Sequence, residues 1–318
     1  MKYIFDPEVL DHRTGNHPEN PKRLEQLRDL PATEVPFDIE PLYAVHDPKY
    51  VDRIRRASEN ELPLDPDTRV SKGSFRAAVK AVNATIMASQ TNDFAIVRPP
   101  GHHAYPDEAT GFCLFNNVAI ASQLLVNQGK RVLIFDFDGH FGDGTSHIFY
   151  NTDQVMYWSI HQYPAFPGTG KVRDIGEGQG KGFNLNVPVP ADSGDDIFLN
   201  AIELFLPIAK QFQPDVVAVS AGFDAHLYDL LLQLRVSTTG FYKIGKLIRE
   251  EFQNVFATLE GGYNIHELMR CVYNFHAGIN GLPEPYPEKE TSSRHQIWAE
   301  FEARAHAGLA YLRPYWKV

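Results

Sequence analysis

Five short apolar runs place the tightest constraint on what this chain can fold into. Residues 94–97, 132–137, 155–160, 216–220 and 255–259 are rich in β-branched and aromatic side chains. Each breaks off within a few residues into a reactive cluster: RPPGHHA, DFDGHFGDGT, SIHQYP, SAGFDAH and LEGGYN. Runs of this length and type read as buried strands. Between them lie segments with helical spacing, such as Ala77, Ala78, Ala81, Val82, Thr85 and Ile86, or Val118, Ile120, Ala121, Leu124 and Leu125. Strand alternating with helix predicts an α/β fold with a mainly parallel central sheet and helices on both faces, because a parallel pair needs a crossover that a helix normally supplies. In such a sheet the active site lies beyond the C-terminal ends of the strands. All five clusters fall there, and chance placement of polar residues would not put His, Asp, Ser or Tyr at every strand end.

No internal repeat, low-complexity tract or linker divides the chain, so residues 1–318 are expected to form one catalytic domain around one sheet. The segment 283–291 (PEPYPEKET) reads as a surface loop before a final amphipathic helix over residues 294–312. Apolar residues make up 43% of the sequence and charged residues 22%, which suits a large core and argues against disorder. Lys and Arg total 30 against 40 Asp and Glu, a formal charge of −10 that disfavours nucleic acid and suits a cationic substrate. Two cysteines, Cys113 and Cys271, are too few for a disulfide framework and form no CxxC pair. Asp6 and Pro7 interrupt the N-terminus before a long apolar run develops, so neither a signal peptide nor a membrane span is expected, and the cytoplasm is the expected compartment.

The densest cluster is Asp136-Phe137-Asp138-Gly139-His140. Asp138 and His140 stand two residues apart, so at the end of a strand both side chains can point to one side and one metal can take both. Asp224, leaving another strand in SAGFDAH, is the best third ligand. Two carboxylates and a neutral imidazole balance a divalent cation, and three protein ligands leave the open position of a catalytic zinc site. Oxygen-rich ligation also admits iron or manganese.

Pro99-Pro100-Gly101-His102-His103 presents two adjacent histidines whose side chains point apart, so each needs its own partner. Asp136 and Asp143 remain after the metal ligands are assigned, and each could accept an imidazole N–H, fixing a tautomer and raising basicity. Amide hydrolysis needs an activated water, an acid for the leaving amine and a donor for the oxyanion. His103 or His102 could return the proton, and Tyr263, freed by Gly261-Gly262, could serve the oxyanion.

Taken together and in order, RPPGHHA, GFCLFNN, DFDGHFGDGT, FPGTG, SAGFDA and LEGGYN resemble the motif series of the histone deacetylase superfamily, which also includes acetylpolyamine amidohydrolases. HRTGNHPENPKRL and LDPDTRVSKGSF extend the resemblance, which runs from about His12 to about His276. It implies the arginase-deacetylase fold and a zinc-dependent hydrolase that removes an acyl group, most simply acetyl, from a lysine side chain. Residue by residue it places the zinc on Asp138, His140 and Asp224. It makes His103 the general base and acid, His102 its electrostatic partner, Asp136 and Asp143 their carboxylates, and Tyr263 the oxyanion donor. Phe112 and Phe166 resemble the aromatic pair that sandwiches the acyl-lysine stem, with Gly111 beside them. Asp65 resembles a rim carboxylate that grips the substrate backbone, and Arg23 an arginine near an internal acetate channel. Structural potassium is implied at two places. One would use Asp136, Asp138, His140, Ser159 and Ile160, the other Phe149, Thr152, Val155 and Phe183, largely through backbone carbonyls.

Two departures stand out. Where many relatives carry a second histidine after the ligand, this chain has Phe141, and where many read DPLGG it has Asp229-Leu230-Leu231-Leu232-Gln233. The first should alter packing behind the metal, and the second leaves substrate preference open. Leu231 falls roughly where polyamine-specific relatives carry a gatekeeping glutamate, and an apolar group there favours acyl-lysine over acetylpolyamine or another small acylated amine. A non-catalytic acyl-lysine binder is the reading from a different class, but no catalytic position is missing.

Overall fold

The computed structural model describes residues 1–27 and 30–318. Among the described residues, seven strands make one wholly parallel sheet. In chain order they are β1 (Tyr3–Ile4), β2 (Phe94–Ala95), β3 (Val132–Asp136), β4 (Val155–Gln162), β5 (Asn184–Val189), β6 (Val216–Ala221) and β7 (Val255–Leu259), and in space they run β1-β2-β7-β6-β3-β4-β5. The five expected strands are present. The first stops at Ala95 rather than residue 97, and β3 stops at Asp136. Two edge strands escaped the sequence reading. β1 has two residues, and β5 (NLNVPV) is broken up by Asn184, Asn186 and Pro188, a composition tolerated at an edge where a missing N–H costs no ladder bond.

Side-chain alternation along the strands builds two buried layers. On β3, Leu133 and Phe135 join a cluster that includes Phe198, Phe205, Phe241 and Phe275. Their neighbours Val132 and Ile134 join a second cluster with Ala81, Ala84, Val118 and Ala121. The first layer packs helices α5 (Asp195–Phe212), α6 (Thr238–Glu251), α7 (Leu268–Asn280) and α8 (His295–Leu312), and the second packs α2 (Ser74–Thr91) and α3 (Asn117–Asn127). A third cluster seats α1 (Pro48–Asn60) on α2 through Tyr50, Val51, Ile54 and Val79. The remaining helix, α4 (Asp143–Ile148), begins directly after the Asp136–His140 segment. Both faces of the sheet are thereby covered, which accounts for strands that are apolar at nearly every position.

The helices expected around residues 77–86, 118–125 and 294–312 correspond to α2, α3 and α8. α3 starts where the Asn116 side chain accepts the Ala119 N–H at 3.0 Å, a cap of the usual kind. Among the described residues no helix is long and apolar enough to cross a membrane.

Candidate active site

The strand order brings together segments far apart in sequence. β7, β6 and β3 are neighbours, so the turns that follow them carry Tyr263, Asp224, and Asp138 with His140 into one place, and the turn after β2 adds His102 and His103. Register sharpens the placement, since Asp136 is the partner of Ser220 on one side and of Ser159 on the other.

Asp138, His140 and Asp224 offer ligand atoms that all lie within 4.8 Å of one another, and all three are buried. His140 Nδ1 stands 2.8 Å from Asp224 Oδ2 and 3.3 Å from Asp138 Oδ1. Burial and the neighbouring Asp138 charge push the Asp224 carboxyl up to about 7. Burial also opposes ionisation of Asp138, but the His102 and His140 imidazoles hold its carboxyl well below the usual range. Against its own burial, the two carboxylates raise His140 to about 10. Anionic groups crowded this tightly without solvent call for a cation. An Asp-His-Asp set with a face toward a cavity fits a divalent ion. The backbone is shaped around it: a Cβ on Gly222 would lie 1.9 Å from Asp138 Oδ2, so only glycine lets the chain leaving β6 pass behind that carboxylate.

The two histidines find separate carboxylates. His102 Nδ1 is 3.1 Å from Asp136 Oδ2, and His103 Nδ1 is 2.6 Å from Asp143 Oδ1. Burial works against charge on both rings, with opposite outcomes. Asp138 and Asp136 hold His102 well above the usual imidazole value, whereas burial and the adjacent His102 charge lower His103 to about 4. His103 lines the cavity and His102 does not.

That cavity, of about 390 Å³, descends to His103, His140 and Tyr263 between Phe112 and Phe166. Phe112 packs edge-on to Tyr263 with ring centres 5.6 Å apart, and Phe166 packs edge-on to His103 at 5.1 Å. Gly111 is required more strictly than its neighbourhood suggested, for a Cβ there would sit 2.4 Å from His103 Cδ2 and its φ of +56° suits glycine. Burial pushes the Tyr263 phenol well above its usual value. Arg23 is completely buried behind that ring, 4.8 Å from its centre, and donates through Nε to Gly262 O and through Nη2 to Glu260 O, both at 2.6 Å.

At the mouth stand Asp65, Pro66, Asp67 and Leu231. The Asp65 carboxylate is largely engaged within its own loop, where it accepts the Asp67 and Thr68 N–H groups at 2.7 and 2.6 Å and the Thr68 hydroxyl at 2.8 Å. Thr68 in turn accepts the Phe112 N–H at 3.3 Å, so Asp65 braces an aromatic wall. Of the residues implied as potassium ligands, Asp136 at the end of β3 is the register partner of Ser159 within β4, with Ile160 next to Ser159. Phe149 and Thr152 lie between α4 and β4, and Val155 opens β4. Phe183 precedes β5, and its carbonyl accepts the Tyr157 N–H at 2.9 Å.

Both departures have local explanations. Phe141 packs against Tyr157 and His161 with ring centres 6.0 and 4.8 Å apart, and the Tyr157 hydroxyl donates to Asp136 Oδ2 at 2.8 Å. In the altered loop, Asp229 Oδ2 accepts the Tyr263 and Asn264 N–H groups at 2.6 and 3.1 Å, while Leu230 is 71% exposed. Tyr157, Asp229, Glu260 and Tyr105, whose hydroxyl donates to Asp143 Oδ2 at 3.0 Å, all went unread in the sequence. Only Glu260, an acid directly after an apolar run, gave a signal.

The chain matches the family model described as "Histone deacetylase domain" over residues 17–279. A protein of Archaeoglobus fulgidus named "Probable deacetylase" is 36% identical over 290 residues, 82% of this chain and 81% of the relative. Among solved structures, the HDA15 HD domain superposes with a TM-score of 0.88 at 29% identity, covering 99% of this chain and 97% of the other. An acetylpolyamine aminohydrolase from Burkholderia pseudomallei superposes with a TM-score of 0.78 at 30% identity, covering 89% and 99%.

Proposed function

This chain belongs to the histone deacetylase family of amide hydrolases, and on that premise we propose that it hydrolyses the amide of an N-ε-acyl-lysine, most simply acetyl-lysine, to the free amine and a carboxylate. One observation carries the reading: Asp138, His140 and Asp224 meet beside two separately paired histidines at the floor of a cavity walled by Phe112 and Phe166. An aliphatic stem suits two aromatic faces, and only a slender chain reaches the floor.

Asp138, His140 and Asp224 would hold a divalent ion, zinc by preference with iron as a cellular alternative, and such an ion supplies a Lewis acid and lowers the pKa of water it binds. The protein's own groups divide the proton work. With Nδ1 fixed on Asp143 and the ring kept neutral, His103 presents Nε2 to the cavity as an acceptor for a proton of the attacking water. The same nitrogen then delivers that proton to the departing amine. His102, paired with Asp136, remains charged and contributes its field from behind. Tyr263, kept protonated by burial, donates its hydroxyl hydrogen to the oxyanion. Arg23 supports the Tyr263 segment from behind.

At the mouth, Leu231 and the braced Asp65 loop would meet the substrate flanks. Potassium at the Asp136, Asp138, His140, Ser159 and Ile160 group and at the Phe149, Thr152, Val155 and Phe183 group would serve structure. We also take residues 1–318 as one catalytic unit and the cytoplasm as its compartment, the two free buried thiols, Cys113 and Cys271, being consistent with a reducing environment.

The Burkholderia neighbour supports a second reading, in which the substrate is an acetylpolyamine or another small acylated amine. An apolar Leu231 at the mouth argues against it, since a second ammonium group would find no partner there. Measuring kcat/KM for an acetyl-lysine peptide against acetylputrescine and acetylspermidine, with zinc and iron each supplied, decides between them. The lysine reading expects the peptide to be favoured, and a clear preference for either polyamine would reverse it.

A further inference from the structure

We infer that Glu260 is a positioning residue for the proposed hydrolysis: its buried carboxylate clamps the turn bearing His102 and His103 against the end of β6 and so keeps the two rings on their separate carboxylate partners. The inference rests on the assignment of those histidines to the reaction.

Glu260 is completely buried and touches neither the cavity nor the three metal-ligating side chains by hydrogen bond. Its Oε2 accepts the backbone N–H groups of Gly101 at 2.6 Å and His102 at 3.1 Å, and its Oε1 accepts the Ser220 hydroxyl at 2.9 Å. Three donors from two separate elements therefore converge on one side chain, an arrangement that an acceptor-only group satisfies. Pro99 and Pro100 have no N–H to offer, so Gly101 and His102 supply the first two donors in the turn, and Glu260 takes both.

The histidine pair needs such a clamp. The two rings stand only 4.0 Å apart, centre to centre, yet bond to carboxylates on different segments. A small rotation of the turn would trade one pairing for the other or break both. The main chain of Glu260 is tied down in turn, its N–H donating to Ala221 O at 2.9 Å and its carbonyl accepting from Arg23 Nη2. Arg23 also holds Gly262 O, so the segment whose Glu260 side chain takes the histidine turn is itself fixed along the backbone leading to Tyr263. Burial pushes the Glu260 carboxyl up to about 7, partly countered by the His102 charge and the Gly101 N–H bond.

The test uses the full-length, metal-loaded protein and two variants, Glu260→Gln and Ser220→Ala. Glutamine keeps the shape but brings a donor into a site of donors. We expect it to lower kcat about 10–100-fold with KM within twofold and metal content unchanged. The proton resonances of the imidazole N–H groups bonded to Asp136 and Asp143 should shift or broaden. Ser220→Ala, which removes one donor and spares the turn, should lower kcat roughly threefold with KM unchanged. Wild-type kcat and resonances in Glu260→Gln would overturn the clamp, as would a loss of rate in the folded variant fully explained by lost metal. Should Glu260→Gln fail to fold, an unaltered kcat in Ser220→Ala overturns it instead. Resonances that shift in a protein whose wild type hydrolyses no acylated amine would uphold the clamp and refute the reaction.

Discussion

The floor of the cavity and its mouth are built by opposite means. At the floor, Asp138 and Asp224 are completely buried, each accepts a backbone N–H as well as meeting His140, and glycine backbone fills the space behind them. At the mouth, Phe166 is 50% exposed, and Leu231 sits on a loop whose neighbouring Leu230 is 71% exposed, both outside the sheet. The floor has one arrangement available to it, whereas the mouth can exchange side chains with little disturbance. Chemistry fixed by the sheet and selectivity carried by loops is the division this contrast teaches.

The sharpest way to break that contrast is to crowd the floor. Gly222→Ala puts a methyl group into Asp138, so the purified variant should contain no bound divalent ion and show no measurable turnover by metal analysis and rate assay. Normal occupancy would mean that the floor is softer than its geometry implies. Next in size, Tyr263→Phe should keep its metal and lose about 10²–10³ in kcat, because the phenol's donor is wanted in the transition state alone. Turnover at the wild-type rate would remove Tyr263 from the reaction.

Changes at the mouth should cost less and act on binding. Phe166→Ala removes one half-exposed wall and should raise KM roughly fivefold to tenfold for an acetyl-lysine peptide while kcat stays put. A collapse of kcat instead would assign Phe166 to the floor. Smallest of all, Leu231→Glu places a carboxylate at the rim, where an exposed ion pair is worth up to about 1 kcal/mol. The ratio of kcat/KM for acetylspermidine to that for the peptide should rise about threefold to fivefold, and an unmoved ratio would detach position 231 from selectivity.

Much of the floor is legible in the sequence because its residues follow strands at fixed, short offsets. Asp138, His140, His102, His103 and Tyr263 each leave the end of an apolar run, and the parallel sheet does the rest. The ring that faces the cavity is a different matter, since residue type and spacing do not separate adjacent histidines: the family resemblance singled out His103, and the course of the turn is what brings that ring to the cavity. β5 stayed hidden because Asn184, Asn186 and Pro188 interrupt its apolar pattern, an interruption harmless at an edge. Glu260 and Asp229 were unread for another reason. Both serve by accepting backbone N–H groups, and a peptide donor leaves no residue type to match against. Asp65 shows the converse, a residue whose resemblance pointed outward to substrate while three of its bonds point inward to its own loop.

One side chain crosses the divide between the two regions. Asp229 begins the loop that carries Leu231 and accepts the backbone N–H of Tyr263. Anyone redesigning residues 230–233 to admit a new acyl group would therefore be pulling on the tyrosine as well, and libraries that hold residue 229 constant should retain active members that fully randomised ones lose.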